Sequence, residues 1–201
     1  MKKILMMAVM AVACLTASAQ NARHGAGNIT IQPMIGIAAG TLSGTYSDFE
    51  FSSKDPRAGL TIGAEAEYYT STDWLSLSAG LMYTQQGWES KYEGKTSTQK
   101  LDYINIPVVV NFYVAKGLAL KIGLQPGFLV NAKAESTDNK SSYESFNLSM
   151  PIGISYEFKN GITLDLRGTP ALTAANKNSN SDFKLRSDCS TLTIGYKFSL
   201  K

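Results

Sequence analysis

Among 201 residues the chain has one histidine, His24, and two cysteines, Cys14 and Cys189. General-base chemistry draws on histidine more than on any other side chain. His24 precedes the first strand-like segment, so it is expected in a flexible N-terminal stretch, and no serine–histidine arrangement can be built on the body of the chain. Glu65 and Glu67 stand two apart and so share one face of a strand. Such a pair could trade a proton, but i, i+2 carboxylates on one strand are more often plain charges. No Cys/His cluster has zinc-ligand spacing, and no segment has the calcium-loop pattern. We expect no catalytic residue, no metal, no cofactor and no enzyme.

A larger set of charged residues recurs at the polar positions of alternating segments: Glu65, Glu67, Lys121, Glu157, Asp165, Arg167 and Lys197. The elements that carry them read as strands. In the last segment Leu192, Ile194, Tyr196, Phe198 and Leu200 oppose Thr191, Thr193, Gly195, Lys197 and Ser199. A period of two sustained this far cannot be an amphipathic helix. Leu60, Ile62, Ala64, Ala66 and Tyr68 oppose Thr61, Gly63, Glu65, Glu67 and Tyr69 in the same way. So do Ile162, Leu164 and Leu166 against Thr163, Asp165 and Arg167. Eight such segments are present, the first of them, residues 28–41, with the least clear faces.

The connections alternate in length. Residues 71–73, 115–117 and 159–161 are short polar turns, whereas residues 43–56, 89–99, 134–142 and 176–186 read as long loops. A closed barrel that spans a membrane keeps tight turns at one rim and long loops at the other. Strands of roughly 11 to 15 residues, at about 3.3 Å each and tilted by about 40°, rise about 28–38 Å, enough for an apolar band about 25 Å tall. Many inward positions are glycine or serine, as a narrow eight-stranded lumen requires. Tyr68, Tyr69, Trp74, Phe112, Tyr113, Tyr156, Phe158, Tyr196 and Phe198 lie near the short turns or the C-terminus; Tyr83, Trp88, Tyr103, Phe128 and Phe146 would mark the opposite rim. Two aromatic girdles are what membrane interfaces select. The expected fold is all-β: an eight-stranded antiparallel up-and-down transmembrane β-barrel over residues 20–201.

Residues 1–19 differ in kind. Lys2 and Lys3 precede an apolar run of about a dozen residues, too short for a membrane-spanning helix of about 20. Ala17-Ser18-Ala19 then supplies a small-x-small cleavage site before Gln20, so a cleaved secretory signal is expected. A lipoprotein signal at Cys14 would need leucine where Ala11 stands. Loss of Lys2 and Lys3 takes the formal charge from +3 to +1. A nearly neutral chain offers no electrostatic case for nucleic acid. Cys189 is then alone and is expected to be a passive strand residue.

Three stretches resemble one known family, the PorT-like outer-membrane β-barrels. Leu101-Asp-Tyr-Ile-Asn-Ile-Pro-Val-Val-Val-Asn-Phe112 is similar to the family's fourth-strand signature. Met150-Pro-Ile-Gly-Ile-Ser-Tyr-Glu-Phe158, followed by Lys-Asn-Gly, resembles its sixth strand and turn, and Leu192-Thr-Ile-Gly-Tyr-Lys-Phe198 its closing strand. The resemblance implies an outer-membrane barrel of a Gram-negative bacterium with both termini in the periplasm, and it names no catalytic residue. One member gave the family its name through a role in protein secretion. Here Phe198 is followed by three further residues, whereas barrel-assembly signals commonly end on the aromatic.

Four acids against three bases in one narrow lumen must be paired or solvated; we expect a mixed salt-bridge network that plugs the barrel. Specific function is expected in the long loops. Tyr46, Phe49, Phe51 and Tyr92 are the candidates there for holding a surface protein or glycan, and Lys177, Lys184 and Arg186 for meeting lipopolysaccharide phosphates. The expected partners are thus outer-membrane lipid and lipopolysaccharide, and the chain is expected to be a monomer with an envelope-structural or surface-interaction role. Two alternatives stand beside it: a narrow pore or accessory barrel of a secretion assembly, and a periplasmic lipocalin-like binding barrel.

Overall fold

A computed structural model describes residues 24–46, 49–52, 56–92, 95–134, 137–177 and 183–200. The expected signal over residues 1–19 lies outside them. Thirteen strand segments among these residues make one sheet. They are β1 (Ile29–Tyr46), β2 (Phe49–Ser52), β3 (Arg57–Tyr69), β4 (Leu75–Tyr92), β5 (Lys95–Asn105), β6 (Val108–Ala115), β7 (Leu118–Ala134), β8 (Thr137–Asp138), β9 (Phe146–Ser149), β10 (Ile152–Glu157), β11 (Ile162–Thr169), β12 (Phe183–Tyr196) and β13 (Phe198–Ser199).

The segments combine into eight staves. β2 and β3 both pair with β1. β5 and β6 form one stave broken at Ile106-Pro107, β9 and β10 one broken at Met150-Pro151, and β12 and β13 one broken at Lys197. Proline removes a ladder donor but keeps its acceptor. The acceptors remain in use: Gly80 N–H donates to the Pro107 carbonyl at 3.0 Å, and Gly123 N–H to that of Pro151 at 3.0 Å. Every pairing is antiparallel, and β12 closes the ring on β1 from Met34↔Gly195 to Tyr46↔Phe183. Two of the short turns pivot on glycines of positive φ, Gly117 at 84° and Gly161 at 85°, a conformation that a Cβ disfavours. The third, at residues 71–73, is tied by the Thr70 hydroxyl, which donates to the Leu75 carbonyl at 2.7 Å.

The alternation sorts cleanly into inside and outside. Ile194 is 50% exposed and its neighbour Thr193 4%; Phe198 is 52% exposed and Lys197 8%. Each stave repeats this, with Ile35, Ile62, Leu81, Val108, Leu124, Ile154 and Leu166 outside. A lipocalin-like barrel would turn its apolar face inward. The observed polarity is the reverse, so that alternative is overturned, because such a continuous apolar belt is stable in lipid and not in water.

The aromatic girdles need correction. Tyr68, Trp74, Tyr156, Phe158, Tyr196 and Phe198 do face out near the short-turn rim, but Tyr69 and Tyr113 are buried in the lumen. At the other rim Phe128 and Phe146 face out as a pair with centroids 5.7 Å apart. Tyr103 is fully buried and Trp88 packs on the same inner cluster. Alternation places Tyr69, Tyr113 and Tyr103 on the polar faces of their strands, and face outweighs proximity to a rim.

The long loops also differ from expectation. β1 and β4 have 18 residues each and β7 has 17. At about 3.3 Å per residue and about 40° tilt, such strands rise about 45 Å, roughly 20 Å beyond the apolar band. Tyr46 pairs with Phe49, Tyr92 with Lys95 and Ala134 with Thr137. Residues 43–56 and 89–99 are therefore largely hairpin extensions of the staves, and residues 134–142 hold a short pairing followed by a 3-10 turn at Lys140–Ser142. Of the fourth stretch, residues 183–186 already belong to β12.

Candidate functional site

Four layers fill the lumen. At the short-turn rim Lys197, on the break between β12 and β13, is the hub. Its Nζ lies 2.7 Å from Glu67 Oε2 and 3.3 Å from Glu157 Oε2. It also donates to the hydroxyls of Tyr69 and Tyr113, each at 3.0 Å. The Tyr113 hydroxyl in turn donates to Glu67 Oε1 at 2.6 Å, and Ser76 donates to the same oxygen. Asn111 donates to the Ser76 hydroxyl at 3.0 Å.

His24 is not a loose N-terminal residue. Its Nε2 is 3.0 Å from Glu157 Oε1 and its ring centroid 5.0 Å from that of Tyr69. The segment is held there by main-chain bonds, with Gly27 N–H donating to the Tyr69 carbonyl at 2.8 Å. The chain before β1 thus turns under the barrel end. The partners are 133 residues apart, a separation that strand periodicity cannot bridge.

One layer up, Arg167 forms a bidentate pair with Glu65: Nη2 donates to Oε2 at 2.8 Å and Nη1 to Oε1. Its Nε donates to Asp165 Oδ1 at 2.6 Å, and Lys121 Nζ to Asp165 Oδ2 at 2.6 Å. Lys121 is also 3.7 Å from Glu65. Glu65 lies on β3, Lys121 on β7 and the other two on β11, so the quartet ties three separate staves across the lumen. All four side chains are buried. Two acids meet two bases, and the fork of Arg167 is satisfied on two carboxylates at once, the geometry in which a buried pair is best compensated.

The glycines make room for this layer. Gly80 stands opposite Glu65 in register, and Gly153 opposite both Arg167 and Lys121. A Cβ on Gly80 would lie 2.5 Å from Glu65 Cγ, and one on Gly153 2.9 Å from Arg167 Cγ. Each long charged side chain crosses a stave that has no side chain to obstruct it.

Above the quartet is a cavity of about 20 Å³ bounded by Met34, Met82, Thr84, Gln125, Arg167 and Cys189. It has room for about one water. Cys189 is buried, and its Sγ donates only to the Ser190 carbonyl, at 3.7 Å, in keeping with a passive strand residue.

The hairpin end is closed by apolar side chains. Leu101, Tyr103, Leu129, Ala132, Tyr143 and Ala175 form a buried cluster with Trp88 packed against it. Between Asp102 and Tyr103 the β5–β7 register shifts, pairing Tyr103 with Leu129 and Asp102 with Asn131. The extra residue, Val130, is a bulge that turns both Leu129 and Ala132 inward. Tyr143, just past a 3-10 turn at Lys140–Ser142, reaches over the mouth with its ring 6.2 Å from Trp88. Burial pushes its phenol above the ordinary value. Across the mouth a Cβ on Gly40 would lie 2.5 Å from the Gly87 carbonyl oxygen, so β1 and β4 approach backbone to backbone.

All seven inward charges singled out from the sequence therefore lie in the lumen: Glu65, Lys121, Asp165 and Arg167 in one cluster, and Glu67, Glu157 and Lys197 in the next. His24, Tyr69, Tyr113, Ser76 and Asn111 join them without having been singled out. Tyr46, Phe49, Phe51 and Tyr92, expected on flexible loops, sit on the paired strands β1, β2 and β4; their side chains lie outside the described residues. Among the described residues no cluster of His, Cys, Asp and Glu could hold a metal ion.

The barrel has known counterparts. A family model described as outer membrane protein beta-barrel domain matches residues 18–176. Neisserial surface protein A (NspA) superposes with a TM-score of 0.52 at 16% identity, covering 85% of this chain and 97% of that one. Ail, the attachment invasion locus protein of Yersinia pestis, gives 0.49 at 15% identity, over 86% and 99%. The outer membrane protein OprG from Pseudomonas aeruginosa gives 0.43 at 12%, over 90% and 99%. No curated protein matches the sequence. At 16% identity the likeness to NspA speaks to fold alone. With its inverted polarity, its eight closed staves and the family match over most of its length, the chain belongs to the outer membrane protein beta-barrel domain family and resides in the outer membrane.

Proposed function

We infer that this protein is a non-enzymatic, non-conducting barrel that serves the cell envelope through the hairpins projecting from one rim. The observation that carries the reading is the Arg167–Glu65–Asp165–Lys121 cluster, which ties β3, β7 and β11 across the lumen. A buried charge cluster at the middle of the lumen and apolar side chains at its mouth support a plug rather than a channel. The sole histidine of the sequence, His24, is spent on Glu157. That supports a structural use of the residue best suited to proton transfer.

The hairpins face the cell exterior and both termini the periplasm, a reading supported by the short turns gathered at the terminal end and by strands that overshoot the apolar band only at the other. The hairpins then offer their edges and tips to a surface protein or glycan. A cysteine in place of Lys177, exposed near the hairpin rim, should label with a membrane-impermeant maleimide on intact cells. One in place of Lys159, on the short turn, should label only after permeabilisation. The reverse pattern would overturn the orientation.

A second reading is an accessory barrel of a secretion assembly, supported by the likeness of the segments 101–112, 150–158 and 192–198 to the PorT-like family. Affinity capture from detergent-solubilised outer membrane separates the two: a lone barrel elutes by itself, and an assembly part brings stoichiometric partners.

A further inference from the structure

We propose that the outer face of the β5–β7 sector holds the phosphorylated headgroup of an outer-leaflet glycolipid on Lys100, Lys133 and Lys140. This rests on the orientation inferred above and adds a site and a ligand chemistry to it. Leu101 and Ala132 face the inner cluster, so the flanking Lys100 and Lys133 face outward on the same strands, while Asp102 beside them is buried. In register Lys100 lies directly opposite Lys133. Like charges opposed on neighbouring strands are unfavourable, and neither lysine has an ion-pair partner among the described residues. A third ammonium closes the group: Lys140 Nζ donates to the carbonyl of the bulged residue Val130 at 3.3 Å.

Depth identifies the occupant. Immediately toward the membrane the same two strands present Ile104 opposite Phe128, with Phe146 packed beside it, all exposed. From Ile104 to Lys100 is four residues, about 10 Å of rise at about 3.3 Å per residue and the usual tilt. That sets the ammonium groups at the height of headgroups bordering the apolar belt, where a phosphate meets them and its acyl chains lie against Ile104, Phe128 and Val130. Two acids stand nearby among the described residues. Asp102 is already engaged by Asn131 Nδ2 at 2.9 Å and by Arg57 at 4.0 Å, and Asp138 stands across from Lys133 on β8. The bulge contributes by turning the outward face of β7 so that Val130 and Lys133 both point to the lipid side.

The test uses the full chain folded in detergent, titrated with bisphosphorylated lipid A and read by native mass spectrometry. The double variant Lys100→Gln/Lys133→Gln should bind about 30-fold more weakly, as loss of two interfacial lysines implies. Lys159→Gln, on the exposed short turn at the opposite rim, should bind like the natural chain, and lipid A stripped of phosphate should bind the double variant and the natural chain alike. Equal affinity of the double variant and the natural chain overturns the proposal, as does displacement by excess inorganic phosphate, which would make the ligand a free anion. Folding of each variant is checked by its heat-dependent gel mobility, and the single variant Lys133→Gln replaces the double one if that fails to fold. Failure of the natural chain to insert into vesicles at all would instead sink the membrane reading.

Discussion

The two ends of the lumen are filled by opposite chemistry. The short-turn half holds Glu65, Glu67, Lys121, Glu157, Asp165, Arg167 and Lys197, together with Tyr69 and Tyr113, in two bonded clusters. The hairpin half holds Leu101, Tyr103, Leu129, Ala132 and Tyr143 around Trp88. In the first half every charged side chain has an ion-pair partner, although the Thr30 hydroxyl and the Asn111 side-chain oxygen are buried without a hydrogen-bond partner. In the second, the Tyr103 hydroxyl and the Gln99 side-chain nitrogen are buried without one. Charges inside a narrow barrel demand pairing and fix unique partners, whereas neutral polar atoms are tolerated as occasional orphans in either half. The first half accordingly specifies which staves meet, and the second closes the space that remains.

Substitutions should separate the two halves, beginning with the most disruptive. Arg167→Met leaves Glu65 and Asp165 sharing Lys121 alone and should cost about 3–5 kcal/mol, the penalty for removing one partner of a buried ion pair. Urea titration of the folded band on unheated gels measures it. Leu101→Ala in the mouth removes buried apolar volume without stranding a charge and should cost about 2–4 kcal/mol. If it proves more damaging than Arg167→Met, the charged half does not dominate. Gly153→Ala brings a methyl group against the Leu166 carbonyl oxygen and the Arg167 side chain and should cost about 1–3 kcal/mol, whereas Ala for Gly27, whose Cβ would meet nothing, should cost only the strain of its positive φ, about 1 kcal/mol. The smallest effects make the sharpest contrast. Tyr113→Phe removes a hydroxyl bonded to Glu67 and Lys197 and should cost about 1–2 kcal/mol; Tyr103→Phe removes an unpaired one and should be neutral or stabilising by up to about 1 kcal/mol.

The same contrast explains what the sequence discloses. Period-two alternation identifies the staves, and it places the charges of β3, β7, β10 and β11, and Lys197 between β12 and β13, on inner faces because each stave has one apolar side in lipid. It fails beyond the membrane. Residues 89–99 carry Lys91, Tyr92, Lys95, Thr96 and Thr98 without alternation of apolar and polar types, so their pairing leaves no periodic trace and they read as a loop. Bulges hide the mouth as well: Leu129 and Ala132 are three residues apart, an odd spacing that alternation assigns to opposite faces until the extra Val130 is known. His24 is invisible for another reason, since its partner Glu157 lies on a stave that only barrel closure brings beside the N-terminus. Tyr69 and Tyr113 were legible in principle, because the alternation that turns Glu67 inward turns Tyr69 inward too. Their nearness to the rim suggests a girdle, but the strand face decides.

Planar-bilayer recording of the refolded chain tests the central claim, that pairing across the lumen closes the barrel, most directly. The natural protein should be silent at moderate voltage, and Arg167→Ala, if it retains the folded gel band, should admit small flickering currents. Large, stable conductance steps from the natural protein would contradict a lumen closed by its own charges.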